Sequence, residues 1–153
     1  MGQFDIDIHW MRQALVLARQ AKEQGEVPVG AVLLLNEKLL ACASNQTIAQ
    51  CDPTAHAEIL VFRKAARTLN NHRLLEATLY VTLEPCLMCI GAMIQARIKR
   101  LVFSAYDDRR GALTANILQS KGVNHRFLLT DGLLAGESAE ILRDFFLQRR
   151  HKT

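Results

Sequence analysis

Long apolar runs are missing from this sequence. None approaches the ~18 residues that a membrane-spanning helix needs, so no span is expected. Aromatics are scarce at 6%, with one Trp, two Tyr and six Phe, so the core must be largely aliphatic. Internal repeats, low-complexity tracts and linkers are also lacking. The opening Met1-Gly2-Gln3-Phe4-Asp5-Ile6-Asp7 carries acids and no apolar stretch, which does not fit a secretory signal. Ile6 stands where a myristoylation motif wants Ser or Thr. These absences lead to the expectation of a cytoplasmic protein with no membrane partner.

What is present reads as one globular domain spanning residues 1–153. Half of the residues are hydrophobic and 22% are charged. The formal net charge is +4 and the isoelectric point about 9.1. Such a mildly basic chain is compatible with a polyanionic partner such as nucleic acid, although charge alone does not establish one.

Residues 7–24 are amphipathic, with Met11, Leu15, Ala18 and Ala21 at helical spacing and Gly25 placed to stop the helix. Residues 29–35 and 39–44, joined by a turn at Asn36-Glu37-Lys38, predict a hairpin. A polar loop follows over 45–51. Asp52-Pro53 then predicts a helix start, with Asp as N-cap and Pro at the first helical position, running to Leu69. Residues 77–83 predict a strand, 85–97 a helix, 100–105 a strand, 111–121 a short helix and 125–130 a strand. A last amphipathic helix covers 134–150, with Leu134, Ile141, Phe145 and Phe146 as core contacts. The order predicts an α/β fold with helices on both faces of one sheet. The helical crossover between the strands near Phe103 and Phe127 favours parallel pairing there.

Four cysteines occur, at 42, 51, 86 and 89. In a reducing compartment, a C-x-x-C pair such as Cys86 and Cys89 is more often a metal or redox group than a structural disulfide. At a helix start, both sulfurs can face one point, and the free N–H groups and positive potential favour thiolate. His56, from the start of another helix, makes a third zinc ligand. No fourth protein ligand is evident, and a zinc with three protein ligands keeps a position for water, which is the catalytic pattern. Glu58, two residues after His56, can move protons at such a water only if the pair sits in the first turn of its helix.

The pattern His56-x-Glu58 followed by Pro85-Cys86-x-x-Cys89 resembles the signature of the zinc nucleobase deaminases. Further segments resemble the bacterial tRNA-specific adenosine deaminases: Val27-Pro28-Val29-Gly30-Ala31-Val32, Asp52-Pro53-Thr54-Ala55, Thr82-Leu83-Glu84, Gly122-Val123-Asn124-His125-Arg126, and the tail Asp144-Phe145-Phe146 with Arg149-Arg150. The resemblance covers nearly the whole chain. It implies a three-layer α/β/α sandwich with a mixed five-stranded sheet, one zinc ion per subunit and a homodimer. It implies hydrolysis of the wobble adenosine of a tRNA anticodon to inosine, with an arginine tRNA as the expected substrate. His56, Cys86 and Cys89 would be the ligands. Glu58 would take a proton from the attacking water and return it to the ring and the departing ammonia. Asn45 would hydrogen-bond the flipped base, backbone groups near Ala57, Leu83 and Glu84 would meet it, and Asp107 would approach the ribose. Arg149 and Arg150 would lie near RNA.

Two departures stand out. Gln46-Thr47 replaces the basic residue and proline often found after the asparagine, and Tyr106 stands where arginine is common before Asp107. Other readings stay open beside this one. They are a guanine- or cytidine-type deaminase, a zinc- and RNA-binding subunit without turnover, and a redox or structural-zinc C-x-x-C. For Cys51 a plain loop thiol is the simpler reading, for Cys42 a core position, and for Arg63, Lys64 and Arg67 a solvated face. The cluster Arg149-Arg150-His151-Lys152 also suits its own helix dipole. Met88 and Met93 suit the core or a subunit contact.

Overall fold

The computed structural model describes residues 2–108 and 114–151. Its elements are α1 Gln3–Glu23, β1 Gly30–Leu35, β2 Lys38–Ser44, α2 Ala57–Leu69, β3 Ala77–Leu83, α3 Leu87–Ala96, β4 Arg100–Ala105, α4 Thr114–Leu118, β5 Leu128–Thr130 and α5 Ala135–His151. The strands form one sheet in the order β2-β1-β3-β4-β5. β1 runs antiparallel to β2 and β3, whereas β3, β4 and β5 are mutually parallel, as the helical crossover requires.

Strand alternation sorts the core into two layers. Val32, Leu34, Tyr80 and Val102 face α1 and α5 through Met11, Leu15 and Ile141. Ala31, Leu33, Leu79, Val81, Leu101 and Phe103 face the other way, onto Leu60, Val61, Ile90 and Met93 of α2 and α3. The result is the expected three-layer α/β/α arrangement.

Local chemistry explains the joints. Gly25, at φ +81°, ends α1, because only glycine takes that backbone without strain. Gly30 lets β1 lie directly against α1, since a Cβ there would run into the Ala14 carbonyl oxygen. Asn36 and Glu37 both take positive φ, so the hairpin closes in a two-residue turn and Lys38 already belongs to β2.

Several boundaries differ from expectation. Helix α1 begins at Gln3 rather than near Asp7. The helix expected at Asp52-Pro53 begins at Ala57 instead, with His56 as its N-cap. Asp52 spends its capping carboxylate on a local turn, accepting from Thr54 N–H at 2.9 Å and Thr54 Oγ1 at 2.7 Å. Helix α3 likewise starts at Leu87, with Cys86 as N-cap. Strand β5 is three residues long, and Phe127 is buried just before it. Of the helix expected at 111–121, residues 114–118 are helical and 111–113 lie outside the described residues. Phe146 is not a core contact: it is 40% exposed, while the adjacent Phe145 takes the buried place.

One buried ion pair ties α1 to the sheet. Arg100 grips the Asp7 carboxylate through two hydrogen bonds of 2.8 and 2.7 Å and reaches Thr130 Oγ1 at 2.8 Å. Asp7 Oδ1 also accepts from the Tyr80 hydroxyl at 2.7 Å and from the Gln3 side-chain amide at 2.9 Å. Burial alone would raise the Asp7 carboxyl, but Arg100, Tyr80 and Gln3 outweigh it and hold the group below its usual range. Its stabilisation is therefore complete above the ordinary carboxylate pKa and is lost as the pH falls through the lowered value. Removing one partner leaves the other charge buried and unpaired. Asp7→Ala is expected to cost about 3–5 kcal/mol of unfolding free energy in urea titrations at neutral pH. The gap between variant and wild type should narrow in acid, and a constant gap down to the acid limit would refute the ion-pair origin.

Candidate active site

The topology brings five chain segments to one edge of the sheet. Parallel β3 and β4 end there, so Leu83, Glu84, Tyr106 and Asp107 emerge side by side. Antiparallel β1 starts at the same edge and β2 finishes there, the Asn45 N–H bonding the Val29 carbonyl at 3.1 Å. The N-termini of α2 and α3 close the set. This is the edge where α/β sheets hold ligands.

Both helix starts break the usual capping rule. His56 and Cys86 are extended N-caps, and neither side chain caps its own helix. Each turns instead toward the other helix. His56 Nδ1 lies 3.5 Å from Cys86 Sγ and 3.5 Å from Cys89 Sγ. The three ligand atoms all fall within 4.8 Å of one another. A tetrahedral zinc with ordinary Zn–N and Zn–S bonds places its nitrogen and sulfur ligands about 3.5 Å apart, so the spacing fits.

The electrostatics agree with the geometry. The Cys89 thiol donates to Cys86, and with His56 close by, the Cys86 thiol is brought down to about 4 despite its burial. Cys89 is pushed up in turn by Cys86, by burial and by Glu58. One thiol lowered and its neighbour raised beside an imidazole make a donor set suited to a divalent cation. Glu58 is 4% exposed in the first turn of α2, and burial raises its carboxyl above the usual range. That is the condition under which Glu58 could lean toward the His56 focus.

A cleft of about 920 Å³ opens onto this cluster. Its floor holds His56, Cys86, Glu58 and Asn45, the last buried and donating to Thr47 Oγ1 at 3.5 Å. Leu83, Glu84, Asp107, Arg149 and Arg150 also line it. Glu84 Oε1 accepts from the Asp107 N–H at 3.2 Å, which fixes the loop after β4. Two of the expected residues do not line the cleft: Cys89 and the Ala57 side chain are both fully buried in the core. Arg149 is partly spent within the chain, donating to the Gly25 carbonyl at 3.3 Å and lying 4.9 Å over the Phe145 ring. Lys152 lies outside the described residues.

Sequence reasoning missed one wall. Leu142, Arg143, Phe146 and Leu147 of α5 face the cleft. Their i, i+1, i+4, i+5 spacing is a second stripe beside the buried one, and that was the available signal. Tyr106 and Thr47, noted only as departures, line it as well. A further missed residue is Glu26. It is 1% exposed and accepts from Ile48 N–H at 3.1 Å and Ala49 N–H at 2.8 Å, holding the loop after Asn45. Cys51 is exposed and Cys42 half-buried. Arg63, Lys64 and Arg67 are exposed on α2, and Met93 is buried whereas Met88 is partly exposed.

Comparison with known proteins gives a consistent result. The family profile of the MafB19-like deaminases matches residues 6–150. A tRNA-specific adenosine deaminase of Haemophilus influenzae is 46% identical over 97% of this chain and 87% of its own length. Its counterpart in Bacillus subtilis is 41% identical over 94% of this chain and 90% of its own. A structure solved in work on A-to-I editing by tRNA:A34 deaminases superposes with a TM-score of 0.85 at 46% identity, covering 88% of this chain and 99% of that one. The guanine deaminase of Nitrosomonas europaea is more distant, with a TM-score of 0.76 at 26% identity, covering 88% of this chain and 81% of that one. The chain belongs to the MafB19-like deaminase family and, within it, to the tRNA-specific adenosine deaminases.

Proposed function

We propose that this protein hydrolyses the wobble adenosine of a tRNA anticodon to inosine, releasing ammonia. The observation that carries the reading is the convergence of His56, Cys86 and Cys89 on one focus beside the buried Glu58, at the floor of a cleft in a chain of this family. These three residues would hold one zinc ion per chain. When bound, zinc supplies a Lewis acid that brings a water molecule's pKa to about 7.

The rest of the work falls to the protein's own groups. Glu58 takes a proton from the attacking water, and its raised proton affinity suits it to hold that proton. It delivers the proton to the ring nitrogen and serves again as the amine leaves C6. Asn45 would hydrogen-bond the base, with backbone groups near Ala57, Leu83 and Glu84 as further partners. Asp107 would approach the ribose, and Arg149 and Arg150 the RNA phosphates; all but Ala57 line the cleft, which supports these roles. An anticodon loop suits the cleft because its bases are exposed and cost little to splay out. Leu87 and Met88 are exposed apolar side chains in the first turn of α3, which supports a homodimer that covers them. No described helix is long and apolar enough to cross a membrane; a tRNA substrate would put the protein in the cytoplasm.

The test is an inosine assay. Purified protein with quantified zinc is incubated with an arginine tRNA whose anticodon begins with adenosine, and inosine is mapped by reverse transcription. Inosine at the wobble position is the expected result. Full zinc occupancy without inosine, together with turnover of guanine or a free nucleoside, would move the chain to another substrate.

A further inference from the structure

Tyr106 is 54% exposed at the mouth of the cleft, yet its ring is held from three directions. It packs in a T-shaped pair with buried Phe103, with centroids 5.3 Å apart and planes at 89°. Its hydroxyl donates to Asp131 Oδ2 at 2.6 Å. Gly132, at φ +73°, comes up against the hydroxyl end, where a Cβ would lie 3.3 Å from Oη and 3.6 Å from Cε2. An exposed aromatic that is already immobilised loses little freedom when a ligand lies on it.

The surroundings narrow what that ligand is. Asp107, Asp108 and Glu84 line the cleft beside Tyr106, and Asp131 holds its hydroxyl. A phosphate is repelled by such a set beside Tyr106 and is drawn instead to Arg143, Arg149 and Arg150 on the α5 wall of the cleft, and the phenol proton is already committed to a carboxylate. The π face of a nucleobase carries no charge and needs no donor. A cleft of about 920 Å³ also holds more than one base, since pockets of roughly 300–1,000 Å³ take whole drug-sized ligands.

We propose that Tyr106 is a stacking platform for a nucleobase flanking the target adenosine, and that it makes deamination sensitive to the base in that place. The proposal rests on the RNA-deaminase reading above. Stacking on an aromatic face tolerates every base but grows with base size, so a purine in that place binds better than a pyrimidine.

The test uses the zinc-loaded full chain and an RNA hairpin carrying the anticodon loop. One arm places 2-aminopurine immediately 5′ or immediately 3′ of the target adenosine and reads its fluorescence on binding. Quenching is expected at one of the two positions with wild type and with Tyr106→Phe, and is expected to be lost with Tyr106→Leu. The second arm measures deamination. Tyr106→Leu should raise KM about tenfold, with the loss carried by KM rather than kcat. An abasic nucleotide in the stacking position should cost wild type a similar factor and cost Tyr106→Leu nothing further.

A wild-type enzyme indifferent to an abasic nucleotide on either side overturns the proposal, whatever the variant does. So does undiminished quenching with folded Tyr106→Leu. If wild type deaminates no RNA, the functional reading fails separately, and the fluorescence arm still decides whether a base stacks on Tyr106.

Discussion

Glu58→Ala is expected to abolish inosine formation while the protein stays folded and keeps its metal. Proton transfer by a positioned side chain contributes roughly 100- to 10,000-fold, and one carboxylate serving first as base and then as acid belongs at the upper end. Loss of about 10,000-fold in kcat is therefore expected. Glu58 is not among the convergent ligand atoms, which belong to His56, Cys86 and Cys89. Zinc content by elemental analysis should stay at one per chain, and the thermal transition should stay cooperative. The buried carboxyl leaves a small polar-lined space when truncated, so Glu58→Gln is the shape-matched companion and should be equally inactive. Deamination by either variant within tenfold of wild type would rule out the shuttle.

Cys86→Ala is expected to lose the metal itself. Groups that merely orient metal ligands cost about 10- to 100-fold in metal affinity when removed, so deleting a thiolate ligand should cost at least about 100-fold. Cys86 is the sulfur already held as thiolate, and its loss leaves Cys89 without the partner that receives its proton. The measurement is zinc per chain after dialysis against a mild chelator. Wild type should retain about one equivalent and the variant almost none. Stoichiometric zinc in Cys86→Ala would remove Cys86 from the ligand set. Activity should fall with the metal in both Cys86→Ala and Cys89→Ala, whereas Cys51→Ala, on an exposed loop, should keep its zinc.

The sequence made the sheet easy to read and the site's framing harder. Strands β3 and β4 are continuous apolar or alternating runs between clear breakers, and their limits were legible to the residue. The parallel pairing of β4 with β5 followed from crossover length alone. The helix starts misled for one physical reason. Capping preferences point to Asp52, but α2 and α3 begin at His56 and Cys86, residue types with no capping virtue. Those places are filled for chemistry, and the local rule is broken where function sits. The spacing of His56, Glu58, Cys86 and Cys89 was legible because metal geometry is demanding. The α5 wall was not. Phe145 and Phe146 are adjacent and chemically identical, and only packing decides that one is buried and the other faces the cleft.

Glu26 deserves a different kind of reading, as a device that separates scaffold from vocabulary. Its carboxylate grips the backbone of Ile48 and Ala49, not their side chains. Loop position is thus dictated from outside the loop, by a residue just past the end of α1. The letters at Gln46 and Gln50, whose side chains bond only each other among the described contacts, are free to drift without moving Asn45, whereas Thr47 is not, because its Oγ1 accepts from the Asn45 amide. A lineage can lose a basic residue there, or acquire another, and retune which RNA it accepts in single steps that never pass through a misfolded intermediate. The same anchorage makes those positions the natural ones to randomise when a new substrate preference is sought, with Glu26 left untouched.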